Sequence, residues 1–269
     1  LLLCVLSSIL FFYPYLNPVG IVIMLDVVQG DAFLIKTPFH QHTLLIDTGG
    51  TFYAQKSADK LIKALQQEGI RTLDLVFITH LDQDHCGHLP YLLEEIPIKQ
   101  LGFSKGILNT PKGIKFKQHL PKHQSYIELP VHTRIQNHLM TLTVLWPKQA
   151  KTGGNEDSLV TYLELKNHHF LLTGDLEKEA EQTFIHDYPN LAVDTLKVAH
   201  HGSQYGTTDL FLNAITPTYG LISVGEHNHY HHPHPDVISR LTQHNVRIYR
   251  AYQSGSIYYT YTPRSQSLT

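Results

Sequence analysis

Short apolar runs punctuated by glycine, proline and aspartate fill the chain from residue 20 onward. Residues 20–28 (GIVIMLDVV), 32–37 (AFLIKT) and 42–50 (HTLLIDTGG) are brief and separated by polar breaks, which predicts a β-meander. A helix is expected next, with Ser57 as its N-cap, Leu61, Ile62 and Leu65 on one face, and Gly69 closing it. Residues 73–79 (LDLVFIT) then read as a buried strand running straight into His80-Leu81-Asp82-Gln83-Asp84-His85. A helical stretch with Leu89, Leu92 and Leu93 follows. The polar cluster thus sits on a strand-to-helix loop, a common place for a site.

The second half repeats this grammar. Residues 139–147 (LMTLTVLWP), 159–165 (LVTYLEL), 169–175 (HFLLTGD) and 196–203 (LKVAHHGS) read as strands or strand ends, with a helix over 177–187. A short helix near Asp209, a strand from Leu221, a histidine-rich loop, a helix over 236–244 and terminal strands including residues 256–262 (SIYYTYT) complete the chain. Two strand-rich halves with interspersed helices suit an α/β sandwich with its site at one edge of the sheets. Residues 42–49 and 168–174 look alike, each an apolar strand ending in an Asp/Thr/Gly turn. No long linker interrupts residues 20–263, so 17–266 reads as one domain. Residues 1–16 (LLLCVLSSILFFYPYL) carry no charge. A helix of that length reaches about 24 Å, short of the roughly 20 residues a span needs, and reads as the end of a truncated transmembrane helix. A signal-peptide core is the alternative, without the basic flank it would carry.

Composition sharpens the chemistry. A net charge of −2 offers no global attraction to nucleic acid, so any polyanion must be held by local charge or metal. The two cysteines, Cys4 and Cys86, exclude a disulfide framework and a cysteine-rich zinc module. Twenty histidines supply many potential imidazole ligands. His80, Asp82, Asp84 and His85 fall within six residues, so their side chains can converge without long-range coincidence. His80 and Asp82 could serve one ion, and Asp84 and His85 a second. A lone His-Asp pair is usually a polar loop; four ligand types at this spacing favour metal. Asp175, the pair His200 and His201, and His232 each follow a strand end and could complete the set, Asp175 as a bridge between ions or else as a helix cap. The other histidines of that last loop, His227, His229, His231 and His234, read as a solvated tract.

In order and spacing, LDVVQGDA from Leu25, LLIDTGG from Leu44, THLDQDHCGH from Thr79, NEDSLV from Asn155, LLTGD from Leu171, LKVAHHGS from Leu196 and SVGEHNHYHHP from Ser223 form a specific pattern. It resembles the carboxy-terminal metallo-β-lactamase domain of the ComEC family, the DNA-internalisation channel of natural competence, over residues 20 to about 262. The resemblance implies an αββα metallo-β-lactamase sandwich, a two-metal nuclease site, and degradation of the DNA strand that is not taken up. The family's HxDxDH pattern lands on His80, Asp82, Asp84 and His85, its TGD aspartate on Asp175, its HHGS on His200 and His201, and its N-x-Y-x-HP on Asn228, Tyr230 and His232. Of the paired histidines, one is expected to ligate, and the sequence does not choose between them. Asp84, His200, His201 and His232 are the candidates for catalytic work, with His200, His201 or His232 assisting the leaving oxygen. Asp82 stands where the wider superfamily usually has a second histidine, which tilts the two divalent ions from zinc towards manganese. Asp26, Asp31 and Asp47 are expected to support ligand imidazoles or loop N–H groups. The chain departs from the pattern at Val28, where glycine is expected, and at Ala251-Tyr252, where Thr-Asp is common.

Lys105, Lys112, Lys115 and Lys117 form a local basic stretch without an intervening acid, suited to tracking phosphates of DNA. Further implications are a membrane channel domain in the same full-length protein, other competence proteins as partners, and a bacterial inner-membrane location with the domain on the periplasmic or extracellular side. The alternatives are a hydrolase of the same fold acting on another ester or amide, and a non-catalytic DNA-binding module.

Overall fold

A computed structural model describes residues 15–51, 54–226, 228–262 and 266–268. Strands β1 (Gly20–Met24), β2 (Phe33–Lys36), β3 (Thr43–Ile46), β4 (Leu75–Ile78), β5 (Leu101–Ser104) and β6 (Tyr126–Leu129) lie side by side in the first sheet. The second sheet holds β7 (Arg134–Gln136), β8 (Met140–Trp146), β9 (Val160–Leu165), β10 (His168–Leu172), β11 (Thr195–Lys197), β12 (Tyr219–Ile222) and β13 (Arg247–Arg250). The chain then returns through β14 (Ile257–Tyr261) and β15 (Gln266–Leu268) to pair with β1 at the first sheet's edge.

Alternation of side chains within the strands builds four layers. In β1, Ile21 and Ile23 join a cluster with Leu61, Leu65 and Leu92 from the helices Ala54–Gln67 and Leu89–Glu95. Val22 and Met24 join instead a cluster with Leu142, Leu163 and Phe170 of the second sheet. The outer face of that sheet packs Val160, Leu171, Leu196 and Ile222 against Phe184, Phe211 and Leu241 from the helices Lys178–Asp187, Asp209–Ile215 and Pro235–Gln243. Strands buried on both faces read as continuous apolar runs, which is why they stand out in the sequence. This is the αββα arrangement that the resemblance implies.

Strand direction places the site. β3 to β6 run parallel to one another, as do β10 to β13. The loops leaving β3, β4, β10, β11 and β12 therefore emerge together, and they carry Asp47, His80 to His85, Asp175, His200 to His201, and Ser223 to His232. Carboxyl ends of strands are where open α/β sheets bind ligands.

Some local readings change. The first long helix begins at Ala54, so Ser57 is not its cap; it is buried and hydrogen-bonded to His88 Nε2 at 2.7 Å. The short strands β5, β6 and β7 are additions to the sequence pattern. β6 and β7 lie at sheet edges with largely exposed residues, and β5 carries Gly102, so none shows a long apolar run. The transmembrane reading falls on residues 1–16, of which 1–14 lie outside the described residues; among the described residues no helix is long and apolar enough to cross a membrane.

Val28, the departure from glycine, has φ 74, so the backbone keeps a course that favours glycine. A β-branched residue there is strained, and Val28 is 45% exposed, so little burial compensates. Val28→Gly is expected to raise unfolding free energy by about 0.5–1 kcal/mol, the relief of left-handed strain minus the added chain entropy of glycine. Urea denaturation of the two proteins checks this; a less stable glycine variant would mean that packing of the Val28 side chain outweighs its strain.

Candidate metal centre

Asp175 is the hub. It leaves β10 through Thr173-Gly174, is 2% exposed, and is fixed by Ser158 Oγ, which accepts its backbone N–H at 2.9 Å. Four imidazoles turn their Nε2 atoms towards its carboxylate. His85 lies 3.2 Å from Oδ1, while His201, His200 and His80 lie 3.5, 3.8 and 3.9 Å from Oδ2. Asp84 Oδ2 is 3.2 Å from His201 Nε2, and Asp82 Oδ2 is 3.7 Å from His80 Nε2. Two donors sharing one ion at about 2.1 Å sit about 3.0–3.4 Å apart, so these separations approach ligand spacing.

The orientation of each ring follows from its other nitrogen. Asp47 Oδ2 holds His85 Nδ1 at 2.7 Å, and the Ser223 carbonyl accepts from His201 Nδ1 at 2.7 Å. Glu177 Oε1 lies 3.0 Å from His200 Nδ1, and Asn155 Nδ2 donates to the same oxygen at 2.9 Å. Thr79 Oγ1 donates to Asp47 at 2.6 Å and so offers only lone pairs to His80 Nδ1, 3.1 Å away. In every case Nδ1 lies against an oxygen that can accept its proton, which leaves Nε2 facing the centre.

Buried His80 Nε2, His85 Nε2 and His201 Nε2 find no hydrogen-bond partner among the described residues. An orphaned buried polar atom costs about 1–3 kcal/mol, and three converging on carboxylates call for a cation. Asp84, His85, Asp175 and His201 each offer a ligand atom within 4.8 Å of one another. The residues present therefore fit a divalent metal with nitrogen and oxygen donors. Sulfur adds nothing: Cys86 points its thiol at the Asp82 carbonyl, and burial pushes it up to about 12. Asp31, Asp47 and His85 form a second convergent group, but Lys197 and Thr79 already occupy those carboxylates.

Charge divides the histidines. Burial, then the charge of His85, holds His80 well below the usual imidazole range. Burial also depresses His201, but Asp175 and Asp31 outweigh it and hold the imidazole up to about 10. His85 is likewise raised by Asp175 and Asp47 against burial. His232 is pushed down to about 4 by burial and by His200 and His201. Its ring centroid is 5.6 Å from that of His200, its Nδ1 is buried, and Asn228 clasps its backbone, accepting from His232 N at 2.8 Å and donating to His232 O at 2.7 Å.

All eight ligand candidates thus reach one edge of the sandwich. Both His200 and His201 present Nε2 to Asp175, through consecutive left-handed residues with φ 48 and 52, His201 buried and His200 partly exposed. The first look-alike segment, 42–49, contains Asp47 and the second, 168–174, leads directly into Asp175; these two carboxylates flank opposite nitrogens of His85. Asp31 pairs with Lys197 at 2.6 Å and lies 3.4 Å from His201 Nδ1. Among the described residues Asp26 pairs with no imidazole; it accepts from Val28 N at 3.1 Å and pairs with Lys60 at 2.6 Å. Of the basic stretch, Lys112 pairs with Asp82, Lys117 lies 5.1 Å over the Tyr126 ring, and Lys105 and Lys115 are exposed. His227 lies outside the described residues.

Sequence reasoning misses Lys197, which is wholly buried with Nζ 2.6 Å from the Gly174 carbonyl and 3.2 Å from Asp175 Oδ1. It also misses Glu177, Asn155 and Ser158. A lysine inside the apolar strand run LKVA is the available signal for the first, since such a residue must be paired if buried.

The pattern of the metallo-beta-lactamase superfamily matches residues 25–227. ComE operon protein 3 of Bacillus subtilis (strain 168) is 36% identical over 275 residues, covering 97% of this chain and 35% of that protein. Competence protein ComA of Neisseria gonorrhoeae is 29% identical over 234 residues, covering 86% and 31%. The chain spans about a third of the length of these relatives. Among solved structures, the metallo-beta-lactamase fold protein YhfI from Bacillus subtilis superimposes with a TM-score of 0.58 at 14% identity, covering 90% of this chain and 99% of that one, a likeness of fold. Since the superfamily match alone runs through most of the chain and through strand-end loops of both sheets, the chain belongs to the metallo-β-lactamase superfamily.

Proposed function

We propose that this chain is the metal-dependent nuclease domain of a DNA-uptake membrane protein, hydrolysing phosphodiesters of the strand that is not transported. The observation that carries hydrolysis is the convergence of four imidazole Nε2 atoms and the carboxylates of Asp82 and Asp84 on Asp175. DNA as substrate rests on the likeness to competence proteins and on the family motifs. In this reading His80, Asp82 and His200 would hold one ion and Asp84, His85 and His201 the other, with Asp175 available to both. When bound, divalent ions polarise a phosphoryl oxygen and lower the pKa of water. Asp47, Glu177 and Ser223 keep the ligand rings in place. Lys197 neutralises charge beneath Asp175, which limits the repulsion among so many carboxylates. His232, neutral down to about 4 and ring-to-ring with His200, stands at the rim of the centre, where it could assist the leaving oxygen.

Asp84→Ala is expected to abolish cleavage of labelled DNA with Mn²⁺ present while leaving the circular dichroism spectrum unchanged, because Asp84 is at the edge of the core. Cleavage at the parental rate would remove the assignment; hydrolysis of lactams or thioesters in place of DNA by the parent would move the substrate instead.

The donor set is carboxylate-rich and lacks sulfur, and hard ions gain from that. Chelated protein resupplied with metal is expected to cleave faster with Mn²⁺ than with Zn²⁺ at saturation, and Asp82→His to narrow or reverse the difference. Faster cleavage with zinc in the parent contradicts this.

His85 and His201 carry protons in the metal-free site at neutral pH, and a metal must expel them. Metal affinity should therefore rise with pH until about 10, with proton release visible as buffer-dependent heats in calorimetry. The sign for folding is opposite: the raised His201 stabilises the metal-free fold fully below its ordinary 6.5, and this is lost as pH rises through about 10. Affinity independent of pH between about 6 and 9 would show that these rings are neutral before metal binds.

A further inference from the structure

A cavity of about 700 Å³ opens from Asp82 and Asp84, which line its inner end, and extends away from the centre. One side is lined by Lys56 and Lys60, one turn apart on the helix Ala54–Gln67, and the loops bearing Val28 and Tyr230 also line it. Val28 is 45% and Tyr230 61% exposed. A single exposed tyrosine is ordinary. This one is held in place: its ring lies nearly parallel to that of His232, 18° between planes and 5.8 Å between centroids, and His232 in turn meets His200 of the centre. The backbone beneath is fixed by Asn228, which donates to the Gly225 and His232 carbonyls and accepts from His232 N. An aromatic face that is exposed yet already stacked on a neighbouring ring loses less entropy when a flat partner covers it.

The chemistry around that face selects the partner. It must be flat and apolar to cover Tyr230, and joined to an anion that the lysines attract and the centre hydrolyses. An unpaired nucleobase in a single strand meets both demands, whereas paired bases in a duplex keep their faces stacked on neighbouring bases. Lys60 remains 44% exposed although paired with Asp26, and Lys56 lines the cavity from the same helix. With Asp82 and Asp84 engaged by metal, Glu226 is the other acid lining the cavity.

We propose that Tyr230 is the stacking platform for an unpaired nucleobase adjoining the scissile phosphodiester, with Lys56 and Lys60 drawing in its neighbouring phosphate, so that the site selects single strands. The proposal rests on the nuclease reading for the word scissile, and the test separates the two. Binding of a hydrolysis-resistant, fluorescent phosphorothioate oligothymidylate is measured by anisotropy, alongside an abasic oligomer of equal length and a duplex, while cleavage of unmodified DNA is followed in parallel. The parent is expected to bind the thymidylate most tightly. Tyr230→Ala should weaken thymidylate binding by about 10-fold, within the range for removal of one base stack, and leave the abasic oligomer unchanged. Tyr230→Phe should retain binding. Replacing Lys56 and Lys60 with Gln should weaken both oligomers alike and reduce the salt slope by about 0.7 for each phosphate no longer neutralised. Equal effects of Tyr230→Ala on thymidylate and abasic strands, no effect on either, duplex preference, or no binding by the parent overturns the proposal. Parental binding that depends on Tyr230 without any cleavage sinks the nuclease reading alone and upholds the stacking site.

Discussion

The ion pairs around Asp175 do two jobs at once, because their members come from different sheets. Lys197, at the end of β11, reaches Asp31 between β1 and β2; His85, after β4, reaches Asp175 after β10; and His201, after β11, reaches Asp84 after β4. Ser223 Oγ adds a hydrogen bond to the Gly30 carbonyl at 2.6 Å. At this edge the apolar packing between the sheets gives way to a seam of buried charge. Burying charge is costly unless every member is paired, and removing one partner from such a pair typically costs about 3–5 kcal/mol. The seam holds because cationic Lys197 opposes Asp31 and Asp175 at short range, and the carboxylates of Asp31, Asp47 and Asp175 favour positive charge, whether proton or metal, at His85 and His201.

That constraint explains the irregular backbone nearby. Asp47, His200 and His201 all take positive φ, and so does Val28 in the loop that leads to Asp31. Residues in this region cost on the order of 1–3 kcal/mol and persist where surroundings over-determine them. At His200 and His201 two successive left-handed residues bring neighbouring side chains to the same carboxylate, which an extended strand would have sent to opposite faces. Gly30 has φ 90, and a Cβ there would overlap the Asp84 carbonyl oxygen, so the loop before Asp31 can lie directly against the loop of the metal candidates.

A ring-to-ring contact links the centre to its surroundings. His80, His85, His201, His200, His232 and Tyr230 form a continuous series of neighbouring rings from buried to exposed. Its inner members are fixed by hydrogen bonds from Nδ1, and its outer members by the Asn228 clasp on the backbone. The rim is therefore joined to the centre through the contact between His200 and His232, although different side chains fix the two ends of the series.

The layers and the set of metal candidates were legible in the amino-acid order. Strands buried on both faces must be apolar throughout, and helices must show one apolar stripe, so their succession could be read directly. Candidate ligands clustered on one loop, as in His80 to His85, needed no knowledge of the fold to be proposed. How distant loops meet was settled only by folding. Whether His200 or His201 faces Asp175 depends on backbone angles that neither residue type dictates, and both do. Lys197 was hidden because a lysine in an apolar strand shows its partner only once the parallel alignment of β10 and β11 and the approach of the first sheet bring Asp175 and Asp31 beside it. Lys112 was legible as a charge, but its pairing with Asp82 was not. Local pattern records which faces a segment must bury; the partners of a buried charge are fixed by contacts between residues far apart in the chain, and a single sequence does not encode these in any short-range period.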